Sequence, residues 1–364
     1  MTIVISQIGF RSLPNNLIIG GIEVWINEIS KRIHSDHIKF HVYPRSKYTE
    51  TEADRTYVKE FPVGGIWTKN LETISSSLIA TLQSIKSTDI VHYHGNLAAL
   101  WSFIPKAFGK KVVVTLHGRD WERAKWGRLM KVVHRLSLVI AMNFADRIIS
   151  VSENTSNLLS VKSRRKVDFI PNAPTHFPRA RYTKTIPQCG PLNVCFLGRF
   201  VPEKRIEDLI FACSDNQDFE LVIVGSAPYM DTYFEMLETI GKASNVKFLP
   251  PVFGEDKRAI LSSSDCLVIP SDVEGMSLIL LEAANLGIPT IASDIPENRW
   301  IMEKLTDNPD LYLFEIGNIE DLRAKLYYLK KHSCCQSWNT EIEKLLNWDK
   351  VAAKYKHIYE GVCK

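Results

Sequence analysis

The sequence predicts an α/β protein with two doubly wound, mostly parallel sheets. Three observations support this fold class: the 364 residues are too many for one ordinary core, short β-rich runs alternate with segments of helical periodicity, and a proline-rich stretch interrupts the alternation half-way. Such alternation is typical of βαβ units. We therefore predict two Rossmann-like domains that face each other across a cleft, with ligand loops after the strand C-termini.

The first domain is predicted over residues 1–173. Helical periodicity is clearest in GIEVWINEISKRI and LETISSSLIATLQSI. The segment PTHFPRARYTKTIPQCG, residues 174–190, lacks periodicity, and we predict that it is a linker. The β-rich runs of the first domain cover residues 2–9, 39–45, 89–95, 111–118, 146–154 and 166–173.

The second domain is predicted over residues 191–345. Strand and helix patterns alternate from NVCFLGRF and PEKRIEDLIFACS, through FELVIVG and YMDTYFEMLETIGK, to CLVIPS, SLILLEAANLG and IPTIASD. Residues 346–364 form a final amphipathic helix, which we expect to pack back on the N-terminal domain. Its apolar face comprises Trp348, Val351, Ala352, Tyr355 and Ile358.

Composition and charge limit the class of protein. The chain is 45% hydrophobic, and no apolar run approaches the ~18 residues of a membrane span. A signal-peptide pattern is missing from the start, and the seven cysteines lack metal-ligand spacing, so we expect a cytoplasmic protein with reduced thiols.

Charge is distributed unevenly along the chain. Residues 1–173 carry 24 Lys and Arg against 14 Asp and Glu, whereas the rest carries 21 against 27. The basic half favours an anionic partner (phosphate, lipid surface or nucleic acid), with a solvated basic surface as the alternative.

Two glutamates stand out in SDVEGMSLILLEAANLGIPTIASD, residues 271–294. Glu274 lies in a polar loop after the strand CLVIPS, and Glu282 lies inside an apolar helical run. An unpaired charge inside an apolar run is costly, which favours a functional role for Glu282 over a solvated helix face. A carboxylate can accept hydrogen bonds from two vicinal hydroxyls, such as those of ribose. The amides of Gly275, Met276 and Ser277 precede the helix, at the positive end that binds phosphate.

A second cluster lies in VCFLGRFVPEKRIEDLI. Arg199 follows a strand, and Lys204 is expected in the first turn of a helix that begins near Pro202. Each cation alone would more often be a surface charge. Together, after a strand and a glycine, they are suited to clamp a diphosphate and to neutralise the charge that develops on it.

The N-terminal half offers weaker signals. Gly20 and Gly21 begin a predicted helix, where backbone amides could meet a phosphate. His92, His94 and His117 follow or end two predicted strands. Metal binding by the three histidines is the less favoured interpretation because no nearby carboxylate completes a site. Hydrogen bonding to a substrate is preferred, with His117 as the best candidate.

Absent motifs narrow the chemistry. No Asp-x-Asp occurs, so the sequence shows no obvious binding site for a metal held between acidic side chains and a nucleotide diphosphate. No G-x-G-x-x-G follows the first strand, which argues against a dinucleotide oxidoreductase. The P-loop and the G-x-S-x-G nucleophile elbow are also missing.

The motifs together resemble a known family, the retaining, nucleotide-sugar-dependent glycosyltransferases of family 4, which have the two-domain GT-B fold. The Glu-x7-Glu spacing of Glu274 and Glu282 is the most specific feature, and the matching pieces follow the family order over nearly the whole chain. These pieces are GGIE (20–23), DIVHYHG (89–95), TLHGRDWERAKWG (115–127), ADRIISVSE (145–153), IPNA (170–173), LGRFVPEKRIEDLI (197–210), PSDVEGMSLILLEA (270–283), GIPTIASD (287–294) and NWDKVAAKY (347–355).

The resemblance implies a role for each matching residue. Glu282 would hold the donor ribose, Glu274 would contact the donor sugar, and His117 would lie beside the transferred sugar. Arg199 and Lys204 would stabilise the diphosphate leaving group, helped by the amides of Gly275–Ser277 and of Gly21. It also implies a metal-independent reaction with retention, in which a donor phosphate oxygen takes the acceptor proton. Two residues depart from the family: Arg205 stands where many members have glycine, and Met276 where an aromatic residue or leucine is common.

The resemblance further suggests a hexose-type sugar transfer to a glycan or lipid-diphosphate-linked acceptor in bacterial O-antigen, capsule or exopolysaccharide synthesis. Residues 119–136 carry cations at near-helical spacing, together with apolar residues that include Trp121, Trp126, Leu129, Val133 and Leu136. We predict that this segment contacts an anionic membrane surface, with a plain amphipathic core helix as the alternative. Its cations are Lys125, Arg128, Lys131 and Arg135.

Two other functions remain open at this point. A sugar-nucleotide epimerase on the same fold would turn over its donor without an acceptor. Nucleic-acid binding by the basic half is disfavoured because its aromatic residues follow strand and helix patterns rather than an exposed stacking platform.

Overall fold

A computed structural model describes residues 2–14, 20–49, 55–68, 70–123, 126–175, 190–227, 231–304, 311–332 and 344–364. The chain divides into two compact units. The N-terminal unit comprises Met1–Asn172 together with Trp348–Lys364, and the C-terminal unit comprises Ala173–Asn347. Most of the predicted linker, residues 176–189, lies outside the described residues.

The described residues of the N-terminal unit contain seven strands in one parallel sheet. The strands are β1 (Ile3–Ile8), β2 (Ile38–Val42), β3 (Lys59–Glu60), β4 (Ile90–His94), β5 (Lys111–Leu116), β6 (Arg147–Ser150) and β7 (Asp168–Phe169). The helices are α1 (Gly21–Ile33), α2 (Glu72–Ser84), α3 (Phe103–Ala107), α4 (Arg128–Phe144) and α5 (Glu153–Ser163). The strand order is β3-β2-β1-β4-β5-β6-β7, so the winding reverses between β1 and β4. Such a reversal is where doubly wound sheets place their ligand crevice.

The described residues of the C-terminal unit contain a second parallel sheet, of six strands. The strands are β8 (Leu192–Arg199), β9 (Phe219–Ser226), β10 (Val246–Leu249), β11 (Cys266–Ile269), β12 (Thr290–Ser293) and β13 (Leu311–Phe314). The helices are α6 (Ile206–Cys213), α7 (Asp231–Ile240), α8 (Gly254–Ser263), α9 (Leu278–Leu286), α10 (Pro296–Lys304) and α11 (Ile319–His332). The order β10-β9-β8-β11-β12-β13 reverses the winding between β8 and β11, where the predicted charged residues lie.

The sequence prediction of two parallel α/β sheets is confirmed, with local errors. The run at 166–173 contributes only the two residues of β7, and the two-residue β3 is missed because it is too short to form a pattern. In the C-terminal unit α10, β13 and α11 are missed. Helix α11 does carry a usable signal, since its buried residues Leu322, Leu326 and Leu329 have helical spacing.

The last helix, α12 (Trp348–Cys363), belongs to the N-terminal unit and packs against α1. The five apolar residues predicted on its inner face are all buried, and so is Tyr359, which the prediction omitted. Within the described residues, no helix combines the length and the apolarity needed to cross a bilayer.

The carboxyl ends of β8 and β9 approach each other unusually closely. Gly225 has a φ of 154°, and a Cβ at this position would lie 1.8 Å from the carbonyl oxygen of Gly198. Pairing continues one residue further, between Arg199 and Ser226. The missing side chain therefore lets β8 stay paired up to Arg199, the residue predicted to bind phosphate.

We expect Gly225→Ala to lower the free energy of unfolding by about 2–5 kcal/mol, because it adds both a steric clash and backbone strain. Denaturant unfolding measures this loss as a lower midpoint, with the slope of the unfolding free energy against denaturant concentration unchanged. Gly64→Ala is the matched control, since no atom lies within 4 Å of the Cβ it would add, and its effect should stay under about 1 kcal/mol. Equal effects of the two substitutions would contradict the steric explanation.

Candidate active site

The loop between β11 and α9 carries the first group of predicted residues. The prediction that a helix follows this loop and closes at Gly287 is confirmed: Ser277 precedes the first helical residue, Leu278, and Gly287 ends the helix with a φ of 72°. The first helical hydrogen bond runs from the Leu281 amide to the Ser277 carbonyl, at 3.2 Å. The amides of Gly275–Ser277 thus lie in the turn that leads to the positive helix end.

Glu274 and Lys204 form an ion pair across two neighbouring loops. Their side chains are largely buried, with 12% and 17% of their surface exposed. The pairing follows from the sheet, because β8 and β11 are adjacent and parallel and their following loops therefore meet. Sequence analysis placed both residues in one site but did not foresee that they neutralise each other, so a phosphate must compete with Glu274 for Lys204.

Glu282 is buried, and its Oε1 atom accepts two hydrogen bonds. The Lys257 ammonium lies 2.7 Å away and the Thr175 hydroxyl 2.6 Å away. The premise that Glu282 is an unpaired charge in an apolar run is therefore wrong, because Lys257 in the first turn of α8 compensates it. The expected role in ribose binding stays a prediction. Neither partner was detectable from the sequence, since both are distant along the chain.

The helix predicted to begin near Pro202 with Lys204 in its first turn is a short 3-10 turn, Pro202–Lys204, and the α-helix α6 begins only at Ile206. Arg205 ends this turn with a φ of 46° before α6 begins. A left-handed conformation costs a residue with a side chain about 1–2 kcal/mol, whereas glycine adopts it freely. In this chain the Arg205 guanidinium contacts the carboxylates of Asp208 at 2.6 Å and Asp272 at 3.5 Å, which offsets the strain and ties the two loops together.

Arg199 ends β8 with an exposed side chain. Asp272 is half-buried in the facing loop, and this burial raises the pKa of its carboxyl even though Arg205 lies beside it. Exposure therefore decreases from Arg199, through the Lys204–Glu274 pair, to the buried Glu282.

In the N-terminal unit, Gly20 and Gly21 occupy the start of α1 as predicted, with Gly20 directly before the helix. The carboxylate of Glu23 folds back over this end, since a Cβ on Gly20 would lie 2.3 Å from its Oε2 atom. Glu23 also accepts a hydrogen bond from the Arg11 amide at 3.1 Å. A negative side chain therefore already lies at this helix end, and the predicted phosphate contact would have to form beside it.

His117 directly follows β5 and is partly buried, and burial lowers the pKa of its imidazole to about 4. It is therefore neutral at physiological pH. His92 and His94 are fully buried, and burial lowers their pKa well below the ordinary value. The expectation that these two bond a substrate is wrong, because each of their ring nitrogens has a partner inside the protein.

These partners form a network that sequence analysis did not find. His92 bonds Tyr359 and Thr115, each at 2.8 Å. His94 bonds Gln7 at 2.6 Å and His117 at 3.0 Å. Among the described residues, no three histidine, cysteine or acidic side chains are grouped to hold a metal ion.

The segment at 119–136 is divided between core and surface. Trp121 is buried, and Trp126 packs against the ring of His134. The outer face of α4 is apolar: Leu129, Val132, Leu136 and Val139 are 76%, 59%, 53% and 56% exposed. Arg128 and Arg135 are exposed along the same face and Lys131 partly so, whereas Lys125 lies outside the described residues.

Comparison with known families identifies the chain. A model described as "Glycosyltransferase Family 4" matches residues 19–173, and one described as "Glycosyl transferases group 1" matches residues 186–349. The chain belongs to family 4 of the glycosyltransferases. The glycosyltransferase family recognised from the motifs is thereby confirmed, whereas retention and metal independence stay predictions.

Family relatives match at moderate identity. An uncharacterised glycosyltransferase of Methanocaldococcus jannaschii is 24% identical over 357 residues, covering 94% of this chain and 95% of that protein. The O-antigen biosynthesis glycosyltransferase WclY of Escherichia coli is 23% identical over 295 residues, covering 77% and 81%. The uncharacterised glycosyltransferase YqgM of Bacillus subtilis is 29% identical over 217 residues, covering 57% of this chain and only 59% of that protein.

Solved structures share the fold of this glycosyltransferase. Sucrose-phosphate synthase from Thermosynechococcus elongatus has a TM-score of 0.80 at 18% identity, covering 99% of both chains. WaaG, a glycosyltransferase involved in lipopolysaccharide biosynthesis, has a TM-score of 0.72 at 14% identity, covering 99% of this chain and 100% of that one. At these identities the likeness shows the fold alone, which is the predicted GT-B fold of two Rossmann-like sheets.

We expect Lys257→Met to lower the free energy of unfolding by about 3–5 kcal/mol, because it leaves the buried Glu282 carboxylate uncompensated. Adding Glu282→Gln should recover much of this loss, since the buried charge is then removed as well. Lys247→Met is the matched control: Lys247 pairs with Glu220 at 3.6 Å on the surface, and its loss should cost less than about 1 kcal/mol. Similar losses for both lysines in denaturant unfolding would refute the assignment.

Proposed function

We propose that this protein is a retaining glycosyltransferase that moves a hexose-type sugar from a nucleoside-diphosphate sugar to a glycan or lipid-linked acceptor. The observation that carries the proposal is the ion pair of Lys204 and Glu274 at the adjacent ends of β8 and β11. Arg199 is the last residue of β8, and Glu282 lies on α9, the helix that follows the Glu274 loop. Further support comes from the relatives: one solved neighbour, HepE of Anabaena, is described in complex with UDP and with UDP-glucose.

The donor side of the proposal assigns one task to each charged residue. Glu282 accepts hydrogen bonds from ribose hydroxyls, and its ion pair with Lys257 holds the carboxylate in place. Glu274 contacts the sugar once Lys204 turns to the diphosphate. Gly20, Gly21 and the Gly275–Ser277 turn supply backbone amides to the phosphates.

Bond cleavage leaves negative charge on the nucleoside diphosphate. Arg199 and Lys204 are the proposed stabilising cations, assisted by the positive end of α9, and no metal ion is required. The bond between the anomeric carbon and the phosphate oxygen breaks, and a bond to the acceptor oxygen forms on the same face. The acceptor proton passes to a phosphate oxygen of the donor. His117, being neutral, contributes a hydrogen bond to a sugar hydroxyl rather than a charge.

The proposed pathway is bacterial surface polysaccharide synthesis, including O-antigen, capsule or exopolysaccharide. Support comes from the relatives, which include an O-antigen biosynthesis glycosyltransferase of Escherichia coli and an uncharacterised protein in the cps region of Klebsiella pneumoniae. Neither relative supports the epimerase alternative, which predicts donor turnover without an acceptor.

A thermal-shift screen with UDP, GDP, ADP, CDP and dTDP, each with and without EDTA, tests the donor assignment. We expect one diphosphate to raise Tm equally in both conditions, and its parent nucleoside to bind more weakly. Arg199→Ala/Lys204→Ala should weaken binding of the diphosphate but not of the nucleoside. In the matching turnover assay, the same double variant should raise the activation free energy by roughly 2–4 kcal/mol. Lys242→Ala/Lys247→Ala, which removes two exposed cations of the same unit, is the control. Loss of the shift in EDTA would contradict metal independence, and full activity of the first double variant would remove the proposed leaving-group site.

The proposed acceptor side includes a membrane. Helix α4 exposes its apolar stripe next to Arg128, Lys131 and Arg135, and the sequence has no acidic residue between Trp126 and Phe144. The exposed rings of Phe103 and Phe144 extend this surface, with their centroids 6.1 Å apart. Apolar side chains beside cations suit the interface of an anionic bilayer. The proposed place of action is the cytoplasmic face of the plasma membrane, where a lipid-diphosphate-linked acceptor would be met.

We expect the protein to float with vesicles that contain phosphatidylglycerol more than with phosphatidylcholine vesicles, and less so at high salt. Arg128→Ala/Lys131→Ala/Arg135→Ala should weaken this binding at least about tenfold, because each cation near the surface contributes about 1 kcal/mol. Lys350→Ala/Lys354→Ala/Lys356→Ala, which changes the outer face of α12, is the matched control. Binding that is equal in all three proteins and insensitive to salt would remove the membrane assignment.

A further inference from the structure

The buried network behind His117 runs from α12 to the end of β5. Tyr359 of α12 bonds the side-chain amide of Gln7 at 3.4 Å, and the amide oxygen of Gln7 lies 2.6 Å from Nε2 of His94. Nδ1 of His94 in turn lies 3.0 Å from Nε2 of His117. Every link is inside the N-terminal unit, and Tyr359, Gln7 and His94 are all buried.

The distances assign a direction to this chain of hydrogen bonds. A separation of 2.6 Å suits an N–H donor and an oxygen acceptor but is too short for two nitrogens, so the Gln7 atom that faces His94 is the amide oxygen. The Gln7 nitrogen then donates to the Tyr359 hydroxyl, which is free to donate to Nδ1 of His92. Each group therefore has one consistent donor or acceptor role.

The direction fixes the hydrogen on each imidazole. His94 donates through Nε2 to Gln7, and a neutral imidazole carries one hydrogen only, so its Nδ1 atom is an acceptor. His117 must then donate through its own Nε2 atom, and its Nδ1 atom keeps a lone pair. Burial supports the neutral form of both rings by lowering the pKa of each.

The ring planes are held by one further residue. The indole of Trp25 packs against all three imidazoles, with centroid distances of 5.3 Å to His92, 4.8 Å to His94 and 6.0 Å to His117. Rotation of any ring out of the network therefore also breaks an aromatic contact.

One nearby charge opposes this arrangement. The carboxylate of Asp120 acts on His117 and by itself raises the pKa of that residue, so it favours the protonated imidazolium over the neutral ring. Arg123 binds the same carboxylate at 2.8 Å and reduces its influence. Burial outweighs this effect and keeps the ring of His117 neutral, so the hydrogen bond with His94 is left to select the tautomer.

We propose that Gln7 and His94 are positioning residues that hold His117 as the Nε2–H tautomer and present its Nδ1 atom as an acceptor for a substrate hydroxyl. The inference rests on the proposed function for the identity of that hydroxyl, which belongs to the transferred sugar. The tautomer itself depends only on the network. Tyr359 acts one step further back, by holding the Gln7 amide in the orientation that accepts from His94.

The tautomer can be measured in the full-length protein labelled with nitrogen-15 at histidine. A long-range proton–nitrogen spectrum at neutral pH distinguishes the two neutral tautomers, and the His117→Gln variant assigns the signal. The wild type should show the Nε2–H form alone. Gln7→Met should give a mixture of both forms and lower kcat/KM by up to about tenfold, the effect of losing one network hydrogen bond.

A matched pair of tyrosine variants separates the network from general packing. Tyr359→Phe removes the hydroxyl that orients Gln7 and should also yield a mixture. Tyr93→Phe removes an equally buried hydroxyl, which bonds Thr81 at 2.8 Å, and lies on β4 between His92 and His94. It should leave the tautomer of His117 unchanged. Tyr359→Phe also serves as the test if Gln7→Met does not fold.

Two results would overturn the proposal. A wild-type His117 with its hydrogen on Nδ1 would show that the hydrogen bond between His94 and His117 does not have the assigned direction, and an unchanged tautomer in both Gln7→Met and Tyr359→Phe would show that the network does not position the ring. Failure of the proposed function gives a different pattern, in which no sugar nucleotide is turned over while the tautomers behave as described.

Discussion

Parallel pairing of β8 with both β9 and β11 is the constraint on which the charged edge of the C-terminal unit depends. Strands that run the same way deliver their following loops to one edge, and the reversal of winding between β8 and β11 leaves that edge open. Lys204 and Glu274, 70 residues apart in sequence, meet there as a direct result. Burial then makes each charge dependent on its partner, because a lone charge at that depth is costly. Ion pairs between neighbouring loops thus organise this edge of the sheet.

Much of this organisation follows from patterns in the sequence. The alternation of strands and helices predicts both sheets, and Gly287 marks the end of α9 because helices commonly close on a left-handed glycine. Motif spacing alone was enough to recognise the glycosyltransferase family. These features are local, so a short window of residues contains the information they require.

Features that depend on tertiary contacts were not predictable. Lys257 and Thr175 compensate Glu282 from distant parts of the chain, and nothing in the pattern around either residue marks it as a partner. The same holds for His92 and His94, whose alternation with Tyr93 on β4 fits a buried strand and a ligand site equally well. Arg205 shows the opposite case, since its departure from the family glycine was visible but its ion pairs with Asp208 and Asp272 were not.

The assignment of α12 to the N-terminal unit has a consequence for synthesis of the chain. Residues 348–364 cover α1 and provide Tyr355 and Tyr359 to the interior behind β1, β4 and β5. The ribosome makes the whole C-terminal unit before it makes this helix. The C-terminal unit, a continuous stretch of chain, can therefore complete its core during translation, whereas the N-terminal unit must wait for residues 348–364 to complete its own.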